Sequence, residues 1–128
     1  MRRGLQIVLA ILSLIPLWFG ILNTTGGAAR FLDPDLVNAA LDSQFRFQSA
    51  WYLALAPIIW WVIPQVEKQT MLFRIIVALI FIGGLGRVWA ATIHGMPPST
   101  MIGGMMLELI VPVLIPWQAR VARDAQAV

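Results

Sequence analysis

MLFRIIVALIFIGGLGRVWAATI, residues Met71–Ile93, carries only two charges, Arg74 near its start and Arg87 near its end. A stretch of this length matches the roughly 20 apolar residues that cross a hydrocarbon core of about 30 Å as a helix. Three other runs resemble it: Leu5–Leu22, Phe47–Ile63 and Met101–Trp117. In lipid only helices and closed barrels satisfy their own backbone groups, and this chain offers no set of alternating strands to close a barrel. The fold expected is therefore all-α, a single domain over residues 1–128 with four transmembrane helices in an antiparallel bundle. Composition agrees. Hydrophobic residues make up 59% and charged residues 12% of the chain, against about 25% charged in an ordinary soluble domain. Mean hydropathy is +0.81. A soluble domain this small could not bury so much apolar surface.

The first run follows Arg2 and Arg3 and precedes Gly26-Gly27-Ala28-Ala29, the outline of a signal peptide. Its apolar stretch is longer than the roughly 7–15 residues of an h-region, so it reads as the first span. Basic residues set the orientation. Arg2, Arg3, Lys68, Arg74, Arg120 and Arg123 fall at the N-terminus, the second connection and the C-terminus, three places on one side of a four-span topology. The other side has Arg30 among Asp33, Asp35 and Asp42, then a charge-free turn at His94–Thr100. The positive-inside rule puts both termini in the cytoplasm. The net charge of +3 thus reads as a topology signal, with no nucleic-acid partner. Trp18, Trp51, Trp60, Trp61, Trp89 and Trp117 lie mostly toward span ends, as interfacial anchors do.

The long outer connection, Asn23–Gln44, contains Asp33-Pro34-Asp35, a good helix start with Asp as N-cap and Pro at the first helical position. Leu36, Val37, Ala40 and Leu41 follow at helical spacing, so a short amphipathic helix on the outer surface is expected there. It reads either as a lid or as a plain connector. Gly95-Met96-Pro97-Pro98 makes the turn between spans three and four. Pro57, Pro112 and Pro116 are expected to bend their helices and open backbone carbonyls.

The absence of cysteine excludes disulfides, thiolate metal sites and thiol redox chemistry. One histidine, His94, cannot supply both axial ligands of a haem within one chain. No metal site and no cofactor are expected, and no catalytic residue is identified. Three charged residues remain at or inside the apolar runs: Arg46, Arg87 and Glu108. Arg87 lies seven residues before His94, about 10 Å below it at a rise of about 1.5 Å per residue. Glu108 lies seven residues after Met101, at nearly the same depth. A turn centred at Pro97–Pro98 pairs Arg87 with Glu108 and Ala91 with Gly104, and small residues at Ala90, Ala91, Gly103 and Gly104 would bring the helices close. Arg46 opens span two at the outer interface, near Asp42, Gln44, Gln48 and His94. The expected ligand site is a polar pocket in the outer half of the bundle, formed by Arg46, Arg87, Glu108, His94, Gln48 and Asp42. Its spare positive charge suits an amphipathic anion whose tail lies between the helices. The structural alternative is an ion pair that fixes helix register, with His94 a solvated or capping residue of the turn. Gly83, Gly84 and Gly86 resemble a phosphate loop only superficially. No strand precedes them and no Lys-Ser/Thr follows, so packing or a kink is expected.

Arg46-Phe47, Gly83-Gly84-Leu85-Gly86-Arg87, Gly95-Met96-Pro97 and Glu108, in that order and spacing, resemble the bacterial domain-of-unknown-function family 4345, whose architecture is similar to that of DoxX-like membrane proteins. The resemblance covers nearly the whole chain and implies a small four-helix protein of the bacterial inner membrane. Three functions are compatible with these residues. One is binding of a lipid-like or amphipathic anion. Another is an accessory or structural role in a homodimer or larger membrane complex. The last is a membrane enzyme in which Glu108 and His94 act as general acid and base, with Arg46 and Arg87 stabilising an anion.

Overall fold

The four apolar runs fold as helices, the fourth in two pieces, and the helices extend past the runs into their polar flanks. A computed structural model describes residues Met1–Ala127. Its helices are α1 (Arg2–Gly26), α2 (Ala39–Val62), α3 (Thr70–His94), α4 (Ser99–Ile110) and α5 (Leu114–Gln126), and no strand is present among the described residues. Four segments are long and apolar enough to cross a membrane: Arg2–Gly26, Ala39–Gln65, Thr70–His94 and Ser99–Gln126. The chain is a multi-pass membrane protein.

The prolines act unequally. α1 runs through Pro16 and α2 through Pro57 without interruption. The fourth span alone is broken, by a 3₁₀ turn over Val111–Val113 that separates α4 from α5. Pro112 cannot donate to the carbonyl four residues back. Pro116 lies in the first turn of α5, where a missing N–H costs little. The long connection also departs from expectation. Asp33-Pro34-Asp35 opens only one 3₁₀ turn, Pro34–Leu36, and the Asp33 side chain makes no cap hydrogen bond. Val37 is extended. Asn38 then caps α2 by accepting from the Leu41 N–H at 2.9 Å. Ala40 and Leu41 therefore belong to the first turn of the second span, because Asn38 rather than Asp33 satisfies the free N–H groups of a helix start.

The chain packs as two compact units, Gln6–Pro64 and Met1–Leu5 with Gln65–Val128. In the first, α1 and α2 meet along positions seven residues apart on α1. Gln6 Nε2 donates to the Ile63 carbonyl at 2.8 Å. Ser13 Oγ accepts from Trp60 Nε1 at 2.9 Å and donates to the Ala10 carbonyl at 2.7 Å. At Gly20 a β-carbon would stand 2.6 Å from Leu53 Cβ and 2.7 Å from its Cα, so only glycine allows the contact. Gly27, seven residues on, has φ +68° and ψ −167°, a conformation essentially restricted to glycine. A repeat of seven keeps one face of a helix toward its neighbour. Small and uncharged polar residues on that face suit a membrane, where helices associate by close packing and hydrogen bonds.

In the second unit α3 packs against α4 and α5. Phe73, Ile76 and Val77 are buried at helical spacing, with Met105, Val121, Leu5 and Val66. Gln118 is fully buried and donates to the Val66 carbonyl and to Thr70 Oγ1, both at 2.9 Å. Arg2 pairs with Glu67 at 3.0 Å, and the Trp117 ring lies 3.2 Å from where a β-carbon on Gly4 would stand. These contacts gather the N-terminus, the connection before α3 and the last helix at one place. Outward, Trp18, Trp51, Trp61, Trp89, Leu79 and Ile82 are among many exposed apolar side chains. For a membrane helix, such a surface faces lipid.

Candidate functional site

Two charged pairs lie within the helices, one in each unit, and they differ in what surrounds them. On α3 and α4, Arg87 Nε stands 2.8 Å from Glu108 Oε2. The pairing expected from the hairpin geometry is present. What brings the helices together, however, is Gly84. A β-carbon there would come within 2.9 Å of Glu108 Cβ, whereas Gly103 and Gly104 have no neighbour within 4 Å of theirs. The close approach thus sits deeper than the expected contact at Ala91 and Gly104, by about two turns on α3 and about one on α4. Residue 84 lies three before Arg87, on the same face of α3, and only a hydrogen there leaves room for the Glu108 stem.

The geometry of the pair is asymmetric. The Glu108 side chain is 11% exposed and that of Arg87 42%. The buried Oε2 atom has the guanidinium as an ionic neighbour but no donor aligned for a hydrogen bond. Arg87 has five N–H donors, and its Nε atom is the one that stands at this contact. The four on the two Nη atoms have no acceptor among the described residues. His94 is exposed at the end of α3 and makes no side-chain hydrogen bond among the described residues, to Glu108 or to any other group. Its position seven residues beyond Arg87 places both on one face of α3.

On α2, Arg46 pairs with Asp42 one turn earlier, Nε to Oδ2 at 2.8 Å. Its Nη1 donates to the carbonyls of Thr24 at 2.9 Å and Thr25 at 2.6 Å. Asp42 Oδ1 accepts from the Ala28 N–H at 2.9 Å. Together the two side chains clasp the C-terminal end of α1, where the last carbonyls lack partners in their own helix. Gly27 lies beneath the clasp, where a β-carbon would collide with both side chains. Gln48 is exposed and makes no side-chain hydrogen bond among the described residues. The structure therefore joins Arg87 to Glu108 and Arg46 to Asp42, each pair within its own unit.

Among the described residues no three His, Asp or Glu side chains gather where they would hold a metal ion. Several polar residues escaped the search for charges within the spans: Gln6, Ser13 and Gln118, each of which ties one segment to another. The signal for the first two was present as a seven-residue repeat, Gln6, Ser13, Gly20 and Gly27.

No curated protein and no solved structure matches the chain. One family model, described as Domain of unknown function (DUF4345), matches residues 4–118, a range that holds the Arg46–Asp42 and Arg87–Glu108 pairs and all four spans except the first two residues of the first and the end of the last, and the chain belongs to that family.

Proposed function

We propose that this protein binds an amphipathic anion from the membrane, with Arg87 as the contact for its charged group. The observation that supports this reading is the exposure of Arg87 while it is paired. Glu108 neutralises the guanidinium but leaves its two Nη groups without acceptors. At membrane depth such donors are costly unless a partner supplies oxygens. Open space beside Gly104, four residues from Glu108 on α4, gives a head group room to approach. Exposed Val88 and Leu107 offer apolar surface to its tail. Arg46 has its donors engaged by Asp42 and α1, and serves this reading as a clasp. In this reading the protein sits in a bacterial inner membrane, and the positive-inside rule supports cytoplasmic termini with the Arg87–Glu108 pair in the outer half.

Native mass spectrometry of the mildly extracted protein tests this. A retained small molecule is expected on the wild type and absent from Arg87→Gln, with both folded by circular dichroism. Retention by the folded variant would rule the reading out.

A second reading, an accessory subunit, draws on the fourth span. Its most apolar window is 6% buried within the chain, against 22–28% for the other three. Copurification of a second chain lost on placing bulky polar residues at Ile110 and Val113, both exposed, would favour it.

A further inference from the structure

The second unit carries a groove of about 590 Å³ between the start of α3 and α5, lined among others by Thr70 and Arg74 on α3 and Pro116, Ala119, Arg120 and Arg123 on α5. From this we infer that the groove is a headgroup site for an anionic phospholipid, separate from the Arg87–Glu108 pair.

Three arginines from two helices line one cavity, and none of the three has an ion-pair partner among the described residues. Even Asp124, one turn beyond Arg120, is outside ion-pair distance of it. The positive-inside rule explains why arginines lie at this membrane face, but it does not require them to share a cavity. Each guanidinium presents a planar fork of N–H donors that matches phosphate oxygens.

Thr70 adds a donor. Its Oγ1 accepts from the fully buried Gln118 Nε2 at 2.9 Å, and its own hydroxyl hydrogen has no acceptor among the described residues. The first turn of α3 contains no acidic residue, and its N-cap position, Gln69, makes no side-chain cap. The positive end of the helix therefore adds to the potential of the groove.

The shape favours a lipid over a dissolved ion. Pro116, Ala119, Arg120 and Arg123 lie along one side of α5, which leaves the apolar span at Trp117 and continues into polar sequence. A phosphodiester among the arginines would have its acyl chains running past Pro116 toward the exposed apolar surface at Val113. Basic cavities between membrane helices at the cytoplasmic face are suited to anionic head groups.

The test compares palmitoyl-oleoyl phosphatidylglycerol with phosphatidylcholine of the same chains, added to the full chain in mild detergent and read by native mass spectrometry. Phosphatidylglycerol adducts should dominate on the wild type. The triple variant Arg74→Gln/Arg120→Gln/Arg123→Gln should lose them by on the order of a hundredfold, the loss of three interfacial charges. Arg→Lys at the same positions keeps the charges and should stay within about tenfold of wild type. Arg3→Gln, which removes a charge from the same membrane face outside the groove, should change nothing. Equal binding of the two lipids, or full binding by a folded Gln variant, overturns the inference. Displacement of phosphatidylglycerol by millimolar inorganic phosphate overturns the lipid assignment in favour of a soluble anion. Because these variants leave Arg87 in place, failure here is distinct from failure of the proposed Arg87 site.

Discussion

The α1–α2 pair and the α3–α4 hairpin face the same problem, holding two helices together in a medium that gives no hydrophobic drive, and answer it differently. Between α1 and α2 the contact is regular: Gln6, Ser13 and Gly20 meet Ile63, Trp60 and Leu53 through neutral hydrogen bonds and one backbone-close glycine. Its charges, Arg46 and Asp42, are confined to the clasp at the end of α1. Between α3 and α4 the contact is concentrated at one point, where Gly84 admits Glu108 and Glu108 meets Arg87. Past that point, at Gly103 and Gly104, the space is open. Neutral contacts spread along a face favour a fixed structure. A single buried carboxylate beside an incompletely satisfied cation leaves chemistry available to a ligand.

The sharpest way to break this contrast is Glu108→Ala, which strands Arg87 and should cost about 3 kcal/mol in reversible unfolding from detergent. Replacing both residues by Leu should recover most of that loss. A Glu108→Ala protein as stable as wild type would mean that the pair contributes nothing to holding α3 and α4.

Next in size is Gly20→Ala. Its added methyl would meet Leu53 backbone as well as side-chain atoms, and overpacking of this kind should cost about 2 kcal/mol. An unchanged unfolding midpoint would show that α1 and α2 are not in close contact there. Ser13→Ala removes the acceptor of the Trp60 indole and should cost about 1 kcal/mol. Trp60 fluorescence should shift with it, and an unaltered spectrum would argue that the indole has another acceptor. The smallest effect belongs to Gly103→Ala, where nothing lies within 4 Å. Stability should stay within about 0.5 kcal/mol of wild type, so a large loss would reveal a neighbour at that face, such as a second chain.

Much of this was readable in advance, and the failures have physical causes. The partnership of Arg87 and Glu108 followed from counting outward from the Pro97–Pro98 turn, because a hairpin of two regular helices fixes which depths coincide. The contact that permits it was misplaced. Counting gives depth but not the rotation of a helix about its axis, and rotation decides whether Gly84 or Gly104 faces the partner. Arg46 carried the same charge, yet its donors go to Asp42 and the carbonyls of Thr24 and Thr25. That outcome depends on where α1 ends, which composition marks only loosely. The start of α2 was displaced for a related reason. Asp33 and Asn38 are both good caps by type, and only the path of the connection determines which one meets free N–H groups.

By itself the sequence determined the number of spans, their helical state, the all-α class and the pairing of Arg87 with Glu108. Each rests on a one-dimensional property: apolar length against membrane thickness, the backbone's need for internal hydrogen bonds, and the rise per residue of a helix. Tertiary structure alone decided which cations are satisfied. It engaged Arg46 in a clasp, left the Nη groups of Arg87 without acceptors, and gathered Arg74, Arg120 and Arg123 around one groove. Whether a charge is engaged or available depends on the direction in which neighbouring helices present their acceptors. That direction is set by the packing of residues far apart in the chain, and no local pattern encodes it.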